Sequence, residues 1–263
     1  MAGMALILGP GALYGGYGAG AASVLGRKIK FDRVYGCSVG VYTASFLVTE
    51  QFDKMLDVWR DHVHGRLLIN PANVIKGRNI LDLEYLVGLF QKEPFALDLS
   101  RIDQERGRLV YVLTRVDTGV SEYFCPSSGN VFKGMIGSSA VSYVHPEVEI
   151  NGVLYRDGAF SSSYPIRQVL KEGFERVIVV CNFSPNYKLD TLMRFFGWAV
   201  EIYEKAVEEL TFIDQLSKTK PGIRLLRPNR DMIRHSTDTN KERINQTIDM
   251  GMEDAERFLT SWN

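Results

Sequence analysis

Ser38 stands between Gly36 and Gly40 in the stretch YGCSVG, where an apolar run gives way to helical spacing. A serine at the centre of G-x-S-x-G can occupy a sharp strand-to-helix turn that lifts its hydroxyl clear of a sheet, and side chains at the glycine positions would crowd that turn. The chemistry it would serve is attack on an acyl carbonyl. That attack needs a base for the hydroxyl proton and donors for the oxyanion. In a chain with 24 glycines the pentapeptide arises readily by chance, so its partners must decide.

Histidine is the usual base, and four are present: His62, His64, His145 and His235. In the α/β-hydrolase order of Ser, acid and His, the set would be Ser38, Asp157 and His235. That fold places several strands before its elbow, however, whereas one strand precedes Ser38 here, and His235 lies in the polar segment IRHSTDTN. The other three histidines read as surface or core residues. A carboxylate can instead act directly as the base. Asp157, in YRDGAF, follows a predicted strand and precedes a glycine, which would fix it at the rim of a sheet; the same Asp-Gly pair is also an ordinary turn.

The donors point to the glycine-rich stretch GPGALYGGYGAGAASVLG. It is not a P-loop, because Tyr17 and Gly18 stand where Lys and Ser or Thr are required, and it fails G-x-G-x-x-G at Tyr14 and at Ala21. What remains is a row of backbone N–H groups on a loop entering a helix, suited to an oxyanion or to a phosphate.

Positioning these groups falls to a strand at Ala5 to Leu8, the glycine-rich loop, a helix, and a second strand leading into the elbow: a parallel βαβ unit. Helical spacing continues from Val41 to His62, and residues 80–90, ILDLEYLVGLF, form a second amphipathic pattern, with the tract between read as loop. Residues 108–126 alternate around Asp117, Thr118 and Gly119 as a hairpin. A second hairpin, VEINGVLYRDG, turns at Asn151-Gly152 and delivers Asp157 at a strand end. RVIVVCNF, residues 176–183, reads as a central strand covered on both faces. A long amphipathic pattern from Leu189 to Leu216 carries Phe195, Phe196, Trp198, Tyr203 and Phe212; a short strand IRLLRP and a helix from Lys241 to Leu259 close the chain. Its aromatic stripe would face the core, or cover a membrane or a bound substrate.

With 263 residues, 45% of them hydrophobic, the chain can bury a full core, and one domain over residues 1–263 is expected. Equal numbers of basic and acidic residues, 31 of each, leave no footprint for nucleic acid. Cys37, Cys125 and Cys181 show neither a disulfide framework nor a zinc pattern, and no His, Asp and Glu cluster has metal-ligand spacing, so a reducing cytoplasm and no metal or other cofactor are expected. No apolar stretch reaches the ~18 residues of a membrane span, so any membrane contact would be peripheral.

Taken in order, ALILGPGALYGGYGAG, YGCSVG, the stretch IGSSAVSYVHPEVEINGVLYRDGAFSSSYPIRQVLKEGFERVIVV and the closing IRLLRP resemble the patatin-like phospholipase family, most closely its bacterial single-domain members. The resemblance implies a three-layer α/β/α sandwich with a mainly parallel central sheet. It implies a lipid or other acyl-ester substrate and a serine-aspartate dyad without histidine: Ser38 as nucleophile and Asp157 as general base. It also places the oxyanion hole at the backbone N–H groups of Gly11 and Ala12, to which an elbow would add Val39. Two departures stand out. Pro10 replaces a glycine and lacks an N–H, and Ala12 and Tyr14 stand where the family commonly has glycine and arginine, which would weaken the hole. The expected activity is a serine acyl-hydrolase cleaving carboxylic esters of lipids through an acyl-enzyme on Ser38, with a catalytically weakened lipid-binding or regulatory protein as the alternative.

Overall fold

A computed structural model of the chain describes residues 3–70, 72–73, 79–142, 144–189 and 193–262. In chain order the elements are β1 (Met4–Leu8), a 3-10 turn at Ala12–Gly15, α1 (Gly16–Lys28), β2 (Arg33–Cys37), α2 (Gly40–Val48), α3 (Phe52–Asp61), α4 (Leu83–Phe90) and α5 (Leu99–Gln104). Then follow β3 (Leu109–Arg115), β4 (Ser121–Phe124), α6 (Val131–Ser139), β5 (Val148–Ile150), β6 (Val153–Asp157), α7 (Ile166–Lys171), β7 (Arg176–Val180), α8 (Gly197–Thr219), β8 (Ile223–Leu226) and α9 (Lys241–Trp262).

The strands form one sheet in the order β5-β6-β3-β2-β1-β7-β8, with β4 paired to β3 off this path. From β3 to β8 the pairs are parallel, and the two hairpins add the antiparallel strands. Strand alternation sends successive side chains to opposite faces, so each face must find its own helical layer. Leu6, Leu8 and Val34 pack with α1, α2 and α9, while Ala5, Ile7, Tyr35, Val177 and Val179 pack with Ile166 and Val169 of α7 and Ile213 of α8. The result is the expected α/β/α sandwich. Because β1, β2, β3 and β7 are covered on both faces, their runs are continuously apolar, as parallel strands require.

Both hairpins form where their turns place them. Asn151 and Gly152 take φ values of 52° and 79°, which a type I′ turn demands. The helical spacing from Val41 to His62, by contrast, is two helices. Thr49 Oγ1 donates back to the carbonyls of Ser45 and Phe46, and Glu50 turns to φ 58°, ending α2 before α3 begins. The pattern expected from Leu189 becomes a 3-10 turn at Met193–Phe195 followed by α8; residues 190–192 and the side chains of Phe195 and Trp198 lie outside the described residues. So do residues 71 and 74–78 of the tract read as loop between Val41–His62 and residues 80–90.

The glycine-rich stretch is mostly the helix α1, and its glycines serve α9 rather than a turn. A methyl group on Gly20 would run into the carbonyl of Ile248, and one on Gly251 into the carbonyl of Tyr17, so the two helices meet backbone on backbone. Tyr17 Oη donates to Asp254 across the same contact, at 3.0 Å.

This contact predicts an inversion of helix propensity. Gly88→Ala in α4, with nothing within 4 Å, should stabilise by about 0.5–1 kcal/mol in denaturant unfolding. Gly20→Ala should destabilise by ~1–3 kcal/mol; a gain there would refute the packing.

Candidate active site

The elbow forms at the carboxyl end of β2. Ser38 takes φ 52°, and its carbonyl accepts the N–H of Val41 at 3.0 Å to open α2. A methyl group on Gly40 would collide with the carbonyl of Leu8, and one on Gly36 would lie 2.7 Å from Val41 Cα, so both flanking positions exclude side chains. The Ser38 N–H donates to Ser138 Oγ at 3.1 Å, whose hydroxyl donates to the Val112 carbonyl at 2.7 Å, bracing the strained turn against α6 and β3.

Asp157 ends β6, opposite Leu113 of β3, and only 1% of it is exposed. Its Oδ1 accepts the N–H of Ala159 at 2.8 Å, capping a 3-10 turn, and the Ser38 hydroxyl lies close enough to favour its charged form. Burial pushes its pKa up to about 6; the two hydrogen bonds pull the other way and recover part of that shift. His235 stands apart. It is exposed, its Nδ1 lies 3.1 Å from Thr237 Oγ1, and among the described residues no hydrogen bond joins it to Ser38 or Asp157, so the Ser38, Asp157 and His235 triad is not linked.

The N–H groups of Gly11 and Val39 meet no acceptor among the described residues, and Ala12 opens the 3-10 turn, so its N–H lacks an intrahelical partner. Ala12 reaches φ 45° without being glycine. The absent arginine is answered by packing: Tyr14 is buried against Phe183 and Tyr187, with ring centroids 5.0 and 5.4 Å away.

One residue that sequence reasoning missed holds this loop. Asn182, just beyond β7 and 3% exposed, donates through Nδ2 to the carbonyls of Gly9 and Pro10, both at 2.9 Å, and accepts the Gly18 N–H through Oδ1 at 2.9 Å. Its side chain thus ties β7 to both ends of the glycine-rich loop, yet within CNFSPN it reads only as a turn residue. Glu209 plays a similar part for α8. Its buried carboxylate accepts Ser162 Oγ at 2.5 Å and the N–H groups of Ser163 and Tyr164 at 2.8 Å, clamping the helix to the segment after Asp157.

Two cavities meet at Ser38. A narrow one of ≈ 90 Å³ runs among Val39, Tyr42, Phe46, Met55, Trp59 and Leu86. A wide groove of ≈ 540 Å³ opens beneath α8, lined among others by Asp157, Phe183, Tyr187, Ile202 and Leu210. Among the described residues, no helix is long and apolar enough to cross a membrane.

A mainly parallel α/β/α sheet, with a serine elbow beneath apolar cavities, is the architecture of patatin-type lipid acyl hydrolases. The chain belongs to that family: the profile described as patatin-like phospholipase matches residues 6–170. A relative, the uncharacterised protein YjjU of Escherichia coli strain K12, is 25% identical over 153 residues, 57% of this chain and 43% of its own length. The chain thus spans less than half of that curated relative. Among solved structures, VipD of Legionella pneumophila superposes with a TM-score of 0.55 at 13% identity, covering 99% of this chain and 67% of VipD, a likeness of fold alone.

Two measurements probe the site's energetics. A raised carboxyl pKa stabilises the fold fully below the unfolded value of 3.8, and that contribution is lost as pH rises through about 6. Asp157→Asn should therefore gain on the wild type between pH 4 and pH 7, by up to about 3 kcal/mol in urea midpoints; a flat difference would contradict desolvation of Asp157. Asn182→Leu strands two carbonyls and an N–H, and should lower stability by ~2–4 kcal/mol, with Asn182→Asp no better because it cannot donate.

Proposed function

We propose that the chain is a serine acyl-hydrolase cleaving carboxylic ester bonds of lipids through an acyl-enzyme on Ser38, and that residues 1–263 act as one such domain. The observation that carries this reading is that Ser38, on its elbow, and the buried carboxylate of Asp157 stand beside each other at the meeting point of two apolar cavities. Asp157 takes the Ser38 proton as Oγ attacks the ester carbonyl, then returns it to the departing alkoxide. Water, deprotonated by the same carboxylate, then attacks the acyl-enzyme and frees Ser38. The N–H groups of Gly11, Ala12 and Val39 receive the oxyanion in both halves.

The geometry supports this division of labour. Among the described residues the narrow cavity has no charged lining and suits the acyl chain, whereas the groove, which reaches Asp157, suits the alcohol. Exposed Phe196 and Val207, at the start and middle of α8, suit peripheral contact with a lipid surface, from which the substrate would enter. Near pH 7 a carboxyl with a pKa of about 6 is largely ionised and competent to accept a proton. The alternative, a fold that binds lipid without turnover, draws on Pro10 and the strained Ala12.

Treatment with a fluorophosphonate ester should phosphonylate Ser38, found by peptide mass spectrometry. The adduct should vanish in Asp157→Ala and persist in His235→Ala. Ester kcat/KM should fall below pH 6, tenfold per unit, as Asp157 is protonated. An unlabelled but folded protein would sink the catalytic reading in favour of the lipid binder.

A further inference from the structure

We infer that Arg227 is the recognition group for an anion on the alcohol side of the ester, so that the groove beneath α8 selects substrates whose leaving group carries a phosphate or a carboxylate. This rests on the acyl-hydrolase reading above.

Arg227 immediately follows β8, at the carboxyl end of the sheet where α/β folds bind ligands, and it lines the same groove as Ser38 and Asp157. Its guanidinium is half-buried and held in one orientation: Nε donates to the carbonyl of Phe183 at 3.1 Å. Phe183 in turn packs on Tyr14 of the oxyanion loop, so the cation is fastened to the wall beside the reacting centre. What it lacks is an anion. Arg227 forms no ion pair with any described carboxylate, and the nearby Asp231 is engaged by the Ser184 N–H and hydroxyl at 2.8 and 2.6 Å.

A half-buried guanidinium with no direct ion pair among the described residues has N–H donors to spare, and its planar fork fits the oxygens of a phosphate or carboxylate. Every other basic side chain is absent from the described lining of the groove. The acids there are Asp157, engaged with Ser38, and Asp214, already paired with Lys218 at 2.6 Å. Among the described residues the narrow cavity has no charged lining, so its chemistry suits the acyl arm and that of the groove the anionic arm.

The test compares two single-chain esters with the same acyl group, an acylglycerol phosphate and the neutral acylglycerol, under first-order conditions. The wild type should favour the phosphate ester in kcat/KM by tenfold or more, mainly through KM. Arg227→Gln should bring that ratio near one, and Arg227→Lys should restore part of it, because charge survives while the fork does not. A wild-type ratio near one, or an Arg227→Gln variant slowed equally on both esters, would overturn the inference and leave Arg227 as a clamp on Phe183.

Binding to Ser38→Ala protein separates the two readings. If neither ester is hydrolysed by the wild type, but the acylglycerol phosphate binds at least tenfold tighter than the acylglycerol and Arg227→Gln abolishes the difference, the recognition stands and the hydrolase reading falls. Equal binding of the two lipids overturns the recognition. Inorganic phosphate binding as tightly as the lipid phosphate would assign the site to a free anion and overturn its role in choosing the ester.

Discussion

The site depends on backbone touching backbone without a Cβ between. Gly40 lies under the carbonyl of Leu8, and Gly158 lies against the carbonyl of Val112, so the ends of β1, β2, β3 and β6 converge more closely than side chains permit. That convergence brings Ser38 and Asp157 to the wall of one groove. Dispersion and hydrogen bonding hold the strands in register, but the glycines set the distance, and a single methyl group would force strands apart.

Closeness also makes the site dry, and dryness sets its acidity. The carboxyl of Asp157 carries the cost of burial, and its two hydrogen bonds offset only part of it. Stability given up there leaves a buried carboxyl that titrates just below neutrality. Strain at Ser38 and Ala12 belongs to the same economy. Residues at positive φ cost on the order of 1–2 kcal/mol each and persist because Ser138, Asn182 and the aromatic packing of Tyr14 leave the chain no alternative path.

Much of this was legible in the sequence because its causes are local. Asn151-Gly152 dictates its own turn, the Val-rich run at 176–180 its own burial, and the elbow glycines flank the serine they serve. Other features have their cause far along the chain. The glycines of α1 read as loop because the helix that needs them begins at Lys241. Asn182 acts on carbonyls 172 and 173 residues away, and nothing in CNFSPN announces them. The break at Glu50 was masked by apolar spacing that continues on both sides of it.

The contact between α1 and α9 has a temporal side. The helix that follows the glycine-rich loop packs on α9, so a ribosome must deliver residues 241–262 before the face of α1 bearing Gly20 is covered. Contacts this distant in sequence close late in folding. Assembly of the site is thereby tied to synthesis of residues 241–262, and a fragment stopped short of α9 would leave Tyr17 and its neighbours bare to solvent.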